Sequence, residues 1–391
     1  MNNGQSPEKS LRKLRSHQQL SSTVKSHYNP ALKAGSRPVK DLPSTQLKTT
    51  DSLPNTRSRA NSDLPTPFER TRVSRRPLPP EILKLSAGHA RKSSIENILR
   101  DGPAPGPRGA ASLNALRHSV LTTGVQATKE GMSDYRVYLW LTLLNVPPLP
   151  THVYLDQIHR GRSPAADKIA NDVFRTLATD TLFKKRVTDA SLTRVLNATA
   201  WRIHDARRTI PSDAPTIQST YIQGMNVLLA PLQYASRSEA QAYALLTTIL
   251  NKHIPTYLTA GMSGVHAGVE LIDKILATIS PNLSQFLLSN SLPAKVYAFP
   301  SVLTLCACTP PLPEVLKLWD FLFAYGTHLN ILCVVAQIMM MKDSLLDSAS
   351  PGKLLRSFPN LKADEVIRLT LVIVRDLPDE TYAEVVRHGK V

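Results

Sequence analysis

From about residue 110 onward, apolar side chains recur at three- and four-residue intervals for roughly 280 residues, and strict apolar–polar alternation is nearly absent. That spacing admits stacked helices and leaves almost no material for a sheet. Leu113, Leu116, Val120 and Leu121 open the pattern, and Gly124 stops this first helix. Ser133 is a cap candidate ahead of Tyr135, Val137, Leu139, Trp140, Leu143 and Leu144, and Pro147, Pro148 and Pro150 break that run. Further helices are predicted at 154–158, 165–177, 189–204, 221–234, 266–279, 283–288, 313–323, 330–341 and 363–374, with a kink or shortening at Pro231. The expected fold class is all-α, a single multi-helix domain over 110–391.

The first hundred residues are built differently. They hold 19 Lys/Arg against 7 Asp/Glu, so +12 of the chain's formal +17 sits there, with ten of the 30 prolines and only Tyr28 and Phe68 as aromatics. Such a stretch buries too little apolar surface to offset its ordering entropy. Residues 1–109 are therefore expected to be a disordered, basic, Pro/Ser/Thr-rich region and linker, with one short helix near Ser94. The charges are scattered and lack interleaved aromatics, so no specific nucleic-acid motif is present. Arg91-Lys92-Ser93-Ser94, Ser6-Pro7 and Thr66-Pro67 are candidate phosphorylation sites.

Several chemistries lack their residues. Cys306, Cys308 and Cys333 have no Cys-x-x-Cys spacing and read as small buried hydrophobes in a reducing compartment. His152, His159, His204, His253, His266 and His328 miss zinc-ligand spacing, so no metal is expected. There is no Gly-x-Ser-x-Gly elbow, no self-contained hydrolase site and no Walker-type loop. The longest apolar run, 329–341, is too short to span a membrane, so no transmembrane segment and a soluble protein are expected.

Two polar positions remain. In Ile169-Ala170-Asn171-Asp172-Val173-Phe174-Arg175, Asp172 and Arg175 are i,i+3 neighbours on a helix face. The spacing alone reads first as a surface ion pair. Tyr221-Ile222-Gln223-Gly224-Met225-Asn226 begins 46 residues after Arg175 and opens an apolar helix. Gln223 carries both a donor and an acceptor, and Gly224 leaves the backbone approachable. A glutamine bonding to backbone at a helix start is the plainer account of Gln223. Arg136 and Trp140 form an i,i+4 pair. Trp319 reads as core beside Asp320, which has an indole, a helix end or Arg136 as possible partners. Tyr221 also reads as core.

Four separated elements, taken in order, resemble the TBC family of GTPase-activating proteins. They are Tyr135-Arg136-Val137-Tyr138-Leu139-Trp140, Ile169-x-x-Asp172-x-x-Arg175, Tyr221-x-Gln223-Gly224-Met225-Asn226 and Leu316-Lys317-Leu318-Trp319-Asp320. The resemblance spans roughly 113–388 and is nearest to the fungal mitotic-checkpoint branch, through 195–198, 224–231 and 297–305. It implies a TBC/Rab-GAP domain whose catalytic residues are Arg175 and Gln223. Asp172, Arg136, Trp140, Tyr221, Gly224, Trp319 and Asp320 support them. The partner, a small Ras/Rab-like GTPase, holds GTP and Mg2+, and the chain has no cofactor of its own. The branch further implies a scaffold subunit completing a two-component activator, a cytoplasmic location with recruitment to the spindle pole body, and restraint of mitotic exit or septation. A non-catalytic GTPase-binding or scaffold subunit, or an adaptor with both side chains folded inward, is the alternative. Two departures stand out: Arg175 continues as Thr176-Leu177-Ala178 where the family often has Thr-Phe-Pro, and 204–220 is long and polar.

Overall fold

The computed structural model describes residues 94–101, 109–208, 219–259 and 261–390. The expectations for the basic segment, and most of those for the polar stretch before Tyr221, fall outside these residues. Every regular element among the described residues is helical.

The chain enters with α1 (Ser94–Asp101), α2 (Gly109–Thr122), α3 (Arg136–Leu143) and α4 (Thr151–His159). Next come α5 (Ala166–Val173), α6 (Thr181–Arg186) and the long α7 (Asp189–Arg208). The middle holds α8 (Met225–Ala235), α9 (Glu239–Thr248), α10 (Ser263–Ile279), α11 (Pro281–Ser289) and α12 (Phe299–Leu303). The chain finishes with α13 (Leu312–Tyr325), α14 (Asn330–Met340), α15 (Lys342–Leu346), α16 (Pro351–Arg356), α17 (Ala363–Asp376) and α18 (Asp379–Arg387). Short polar caps set several starts: Asp180 accepts from the Phe183 amide ahead of α6, and Ser238 from the Gln241 amide ahead of α9. Pro313 sits in the first turn of α13, where its missing N–H costs nothing.

Helix α8 is the element around which the site is built. Leu228, Leu229, Ala230 and Leu232 are buried, and the helix packs on α5, α7, α9 and α13 at once. Pro231 lies inside it without ending it. Helix α1 also joins this body: it packs on α2, and Ile95 is fully buried in the shared core.

Between α3 and α13 the aromatic core has a polar centre. Trp140, Trp319 and Phe323 pack against one another at tilted angles, with Trp140 edge-on to Phe323 at 5.2 Å. Asp320 accepts from Arg136 Nε at 3.0 Å, Arg136 Nη2 at 2.9 Å and Trp140 Nε1 at 2.8 Å. Arg136 Nη1 donates to the Gly131 carbonyl. Burial pushes the Asp320 carboxyl up, and the guanidinium and the indole N–H oppose it. The i,i+4 pair Arg136 and Trp140 thus converges on one carboxylate. Trp319 is core, as its sequence context implies, and donates its indole N–H to Leu305 O at 2.8 Å.

Two expectations change here. Cys306 and Cys333 are buried, but Cys308 is exposed on the turn after α12. Helix α7 runs on to Arg208 rather than ending near His204. Tertiary contacts hold its polar end: Arg160 lies 3.9 Å over the Trp201 ring and also binds Asp205, and Trp201 donates to Gly161 O.

Candidate functional site

Helix α5 stops at Val173, so Phe174 and Arg175 lie on the turn beyond it. The i,i+3 pairing survives that change. Arg175 donates through Nε to Asp172 Oδ1 at 3.1 Å and through Nη2 to the same oxygen. Its side chain is 51% exposed, whereas that of Asp172 is 6% exposed. One partner is anchored in the core and the other projects from it. Phe174, 65% exposed, flanks the arginine.

The second oxygen of Asp172 is also used. Tyr221 donates its hydroxyl to Asp172 Oδ2 at 2.8 Å. Burial, then this bond to a carboxylate, push the Tyr221 phenol far up, which keeps it a donor. Tyr221 is core by position, as expected, but its hydroxyl has a task that apolar patterning does not reveal.

Helix α8 begins at Met225, later than predicted, because 223–224 forms a turn across which the Met225 amide donates to Ile222 O at 3.1 Å. Gly224 closes that turn at φ +109°, a left-handed conformation that glycine adopts at little cost. A Cβ there would also meet Leu303 Cδ2 at 2.9 Å. The need for glycine is therefore backbone conformation and close packing on α12, rather than an open approach for a ligand. Gln223 sits at the apex of the turn and is exposed.

Two residues absent from the candidate set join the two turns. Asn226 Oδ1 accepts from the Gly224 amide at 3.1 Å, and Asn226 Nδ2 donates to Thr176 Oγ1 at 2.9 Å. Thr176 Oγ1 in turn donates to Asp172 O at 2.9 Å. Asn226 thus holds the turn of Gln223 with one end of its amide and the turn of Arg175 with the other. An amide in the first turn of a mostly apolar helix was the available signal. Thr176 itself, immediately after Arg175, had none.

The remaining predicted residues do not gather at this point. Arg136, Trp140, Trp319 and Asp320 form the separate buried cluster between α3 and α13. They reach the site through the packing of α13 on α8 and through the turn after α12, where Trp319 donates to Leu305 O close to the Leu303 that packs on Gly224. Among the described residues, no group of three or more His, Cys, Asp or Glu side chains could hold a metal ion, and no helix is long and apolar enough to cross a membrane.

Fold and site together define a helical domain that offers an arginine and a glutamine to solvent on two turns bonded to each other. Residues 133–346 match the Rab-GTPase-TBC domain family, and the chain belongs to that family. It is 43% identical over 277 residues to cell division control protein 16 of Schizosaccharomyces pombe, covering 71% of this chain and 88% of that protein. It is 40% identical over 300 residues to mitotic check point protein BUB2 of Saccharomyces cerevisiae, covering 76% and 97%. In fold it resembles the Ypt/Rab-GAP domain of Gyp1p, with a TM-score of 0.57 at 18% identity over 72% of this chain and 96% of that one. The Chlamydomonas flagellar RabGAP TBC domain is similar at a TM-score of 0.51 and 18% identity, covering 78% and 90%.

Proposed function

We propose that this chain stimulates GTP hydrolysis by a small Ras/Rab-like GTPase, with Arg175 and Gln223 as its catalytic residues. The observation that carries the reading is the bonded pair of turns: Asp172 and Asn226 fix both, while Arg175 and Gln223 remain exposed. Exposure of both side chains speaks against an adaptor whose fingers fold inward.

The partner holds GTP and Mg2+. The guanidinium of Arg175 neutralises charge that develops on the transferred phosphoryl group, and the Gln223 amide orients the attacking water. To reach the phosphate, Arg175 must turn away from Asp172. The pair joins an exposed guanidinium to a nearly buried carboxylate, so opening it costs more than the ~1 kcal/mol of a surface pair, and the bond from Tyr221 limits that cost. An arginine finger contributes about 10³–10⁵ in rate, or roughly 4–7 kcal/mol in the transition state. The chemistry outweighs the pair, and Tyr221 continues to serve Asp172 when Arg175 leaves.

The relatedness to cell-division and checkpoint proteins supports a role in restraining mitotic exit or septation, as one subunit of a two-component activator recruited to the spindle pole body. Single-turnover GTP hydrolysis with the GTPase, with and without a scaffold subunit, tests the assignment. Arg175→Ala is expected to lower the stimulated rate by about 10³ or more, and Gln223→Ala to lower it by roughly 10²–10³. Arg175→Lys stays defective, because lysine keeps the charge but loses the planar fork. Undiminished stimulation in both alanine variants would sink the two-residue mechanism and leave a GTPase-binding subunit.

A further inference from the structure

At the far end of α8 from Gln223, a cavity of about 510 Å3 opens between the α6–α7 junction and the start of α9. Three arginines line it, Arg186, Arg194 and Arg237, together with Ser236, Ser238 and a single carboxylate, Glu239. Arg194 holds Glu239 through Nε at 3.0 Å, and Tyr154 donates to the same carboxylate at 2.7 Å, so its charge is already shared. Arg186 donates through Nε to Tyr234 O and through Nη2 to Ser236 O, which uses two of its five N–H donors. Arg237 donates to Asp134 O at 2.7 Å and lies 3.7 Å from the fully exposed Asp134 carboxylate, outside the cavity wall. The wall therefore carries a surplus of positive charge. Ser238 caps α9 here, adding the positive end of a ten-residue helix.

Among the described residues, two buried polar atoms of residues in this wall have no partner. Ser236 is 6% exposed, and its hydroxyl makes no hydrogen bond. Gln233 Oε1 is buried and equally unpaired. A buried polar group left unsatisfied costs about 1–3 kcal/mol. The two need opposite things: the hydroxyl can donate to an anionic oxygen, while the amide oxygen must accept from an N–H. Hydrogen phosphate keeps an O–H at neutral pH and so meets both needs, but an ion of that size leaves most of the cavity empty. A phosphorylated side chain on a peptide brings acceptor oxygens and backbone N–H groups together, and the cavity is large enough for both.

We propose that this cavity binds a phosphoserine or phosphothreonine residue presented on a peptide of a partner protein. The site is separate from the Arg175–Gln223 pair and does not depend on its assignment. Its recognition is charge-assisted hydrogen bonding from Arg237 and the spare donors of Arg186, with Ser236 turning its hydroxyl onto the phosphate and Gln233 accepting from the peptide backbone.

The test is fluorescence anisotropy with the full chain and fluorescein-labelled peptides, degenerate around a fixed phosphothreonine, against the same pool unphosphorylated. The phosphorylated pool is expected to bind at least about tenfold more tightly. Arg237→Glu should remove about tenfold or more of that affinity. Ser236→Ala should weaken binding several-fold without lowering the thermal midpoint, since it deletes a hydroxyl that the free protein leaves unpaired. Equal affinity for the two pools, or unchanged binding in Arg237→Glu, overturns the proposal. So does inorganic phosphate binding as tightly as the peptide, which would make this a free-anion site, or tighter capture by phosphoinositide vesicles, which would make it a membrane site. Stimulated GTP hydrolysis, measured in parallel, is expected to stay at the unmodified level in Arg237→Glu. Its loss would put the cavity within the GTPase contact and overturn a separate site.

Discussion

The Asp172 carboxylate sits almost wholly inside the protein and divides its two oxygens between Arg175 and the Tyr221 hydroxyl. That division sets how firmly Arg175 is held. In Tyr221→Phe the phenol donor is lost, and among the described residues Arg175 becomes the only side-chain donor to the Asp172 carboxylate. Its ion pair should tighten by about 1 kcal/mol, and the stimulated rate should fall roughly fivefold. Asn226→Ala goes further, because one amide joins both turns. It should cost about 1–3 kcal/mol of stability and also slow the stimulated step, since Gln223 and Arg175 lose their common anchor. Thermal unfolding together with single-turnover hydrolysis separates the two effects. A normal rate in Asn226→Ala would show that the turns are held by backbone packing alone. These residues also mark what sequence can and cannot disclose. The Asp172–Arg175 spacing was visible because it is local. The Tyr221–Asp172 and Asn226–Thr176 bonds were not, because they join positions about fifty residues apart that only the packing of α8 on α5 brings together.

At the scale of elements, the start of α8 decides where Gln223 points. The apolar pattern extends back to Tyr221, so periodicity alone places the helix start four residues early. Gly224 at φ +109° overrides that pattern by breaking the chain direction before Met225. Gly224→Ala combines a left-handed backbone with a 2.9 Å approach to Leu303 Cδ2. The Leu303 methyl can yield, but the backbone strain remains, of the order of 1–2 kcal/mol. The expected outcome is a modest drop in thermal midpoint and a larger loss of stimulated hydrolysis, as the Gln223 turn is displaced. An effect on stability without one on rate would separate the turn from the chemistry. The later end of α7 has the same kind of cause. Its last polar turns carry no apolar stripe, and the stacking of Arg160 on Trp201, which keeps them helical, comes from α4's C-terminal end. The all-helical class was legible because it depends only on period, whereas boundaries depend on glycine conformation and on distant partners.

The whole molecule adds a pH dependence that no single element contains. Helix α18 closes against the middle of the chain through His388. Tyr257 OH lies 3.0 Å from His388 Nε2, and Thr256 donates to His388 O at 3.1 Å. His253, with Nε2 3.4 Å from Leu144 O, and His328 share a cavity of about 230 Å3 with His388 and Lys390. Burial lowers all three histidines, and His328 is pulled down to about 4, with Lys390 and His388 adding to the effect. Each is therefore neutral in the folded protein and takes up a proton more readily when unfolded. Their contribution is fully present above about pH 6.5 and is lost as pH falls towards 4. For His328 the full shift corresponds to roughly 3 kcal/mol, a large share of a typical domain's 5–15 kcal/mol. Carboxylates such as Glu239, held low by Arg194 and Tyr154 against the cost of burial, act at lower pH, while the raised Asp273 works in the opposite sense. The decisive quantity is thus a difference between variants. Urea unfolding at pH 7, 6 and 5 should show stability falling with acidification, and His328→Gln should flatten that fall. Parallel curves for the two proteins would remove His328 from the account, and stability that rose towards pH 5 would remove the histidine cluster as a whole.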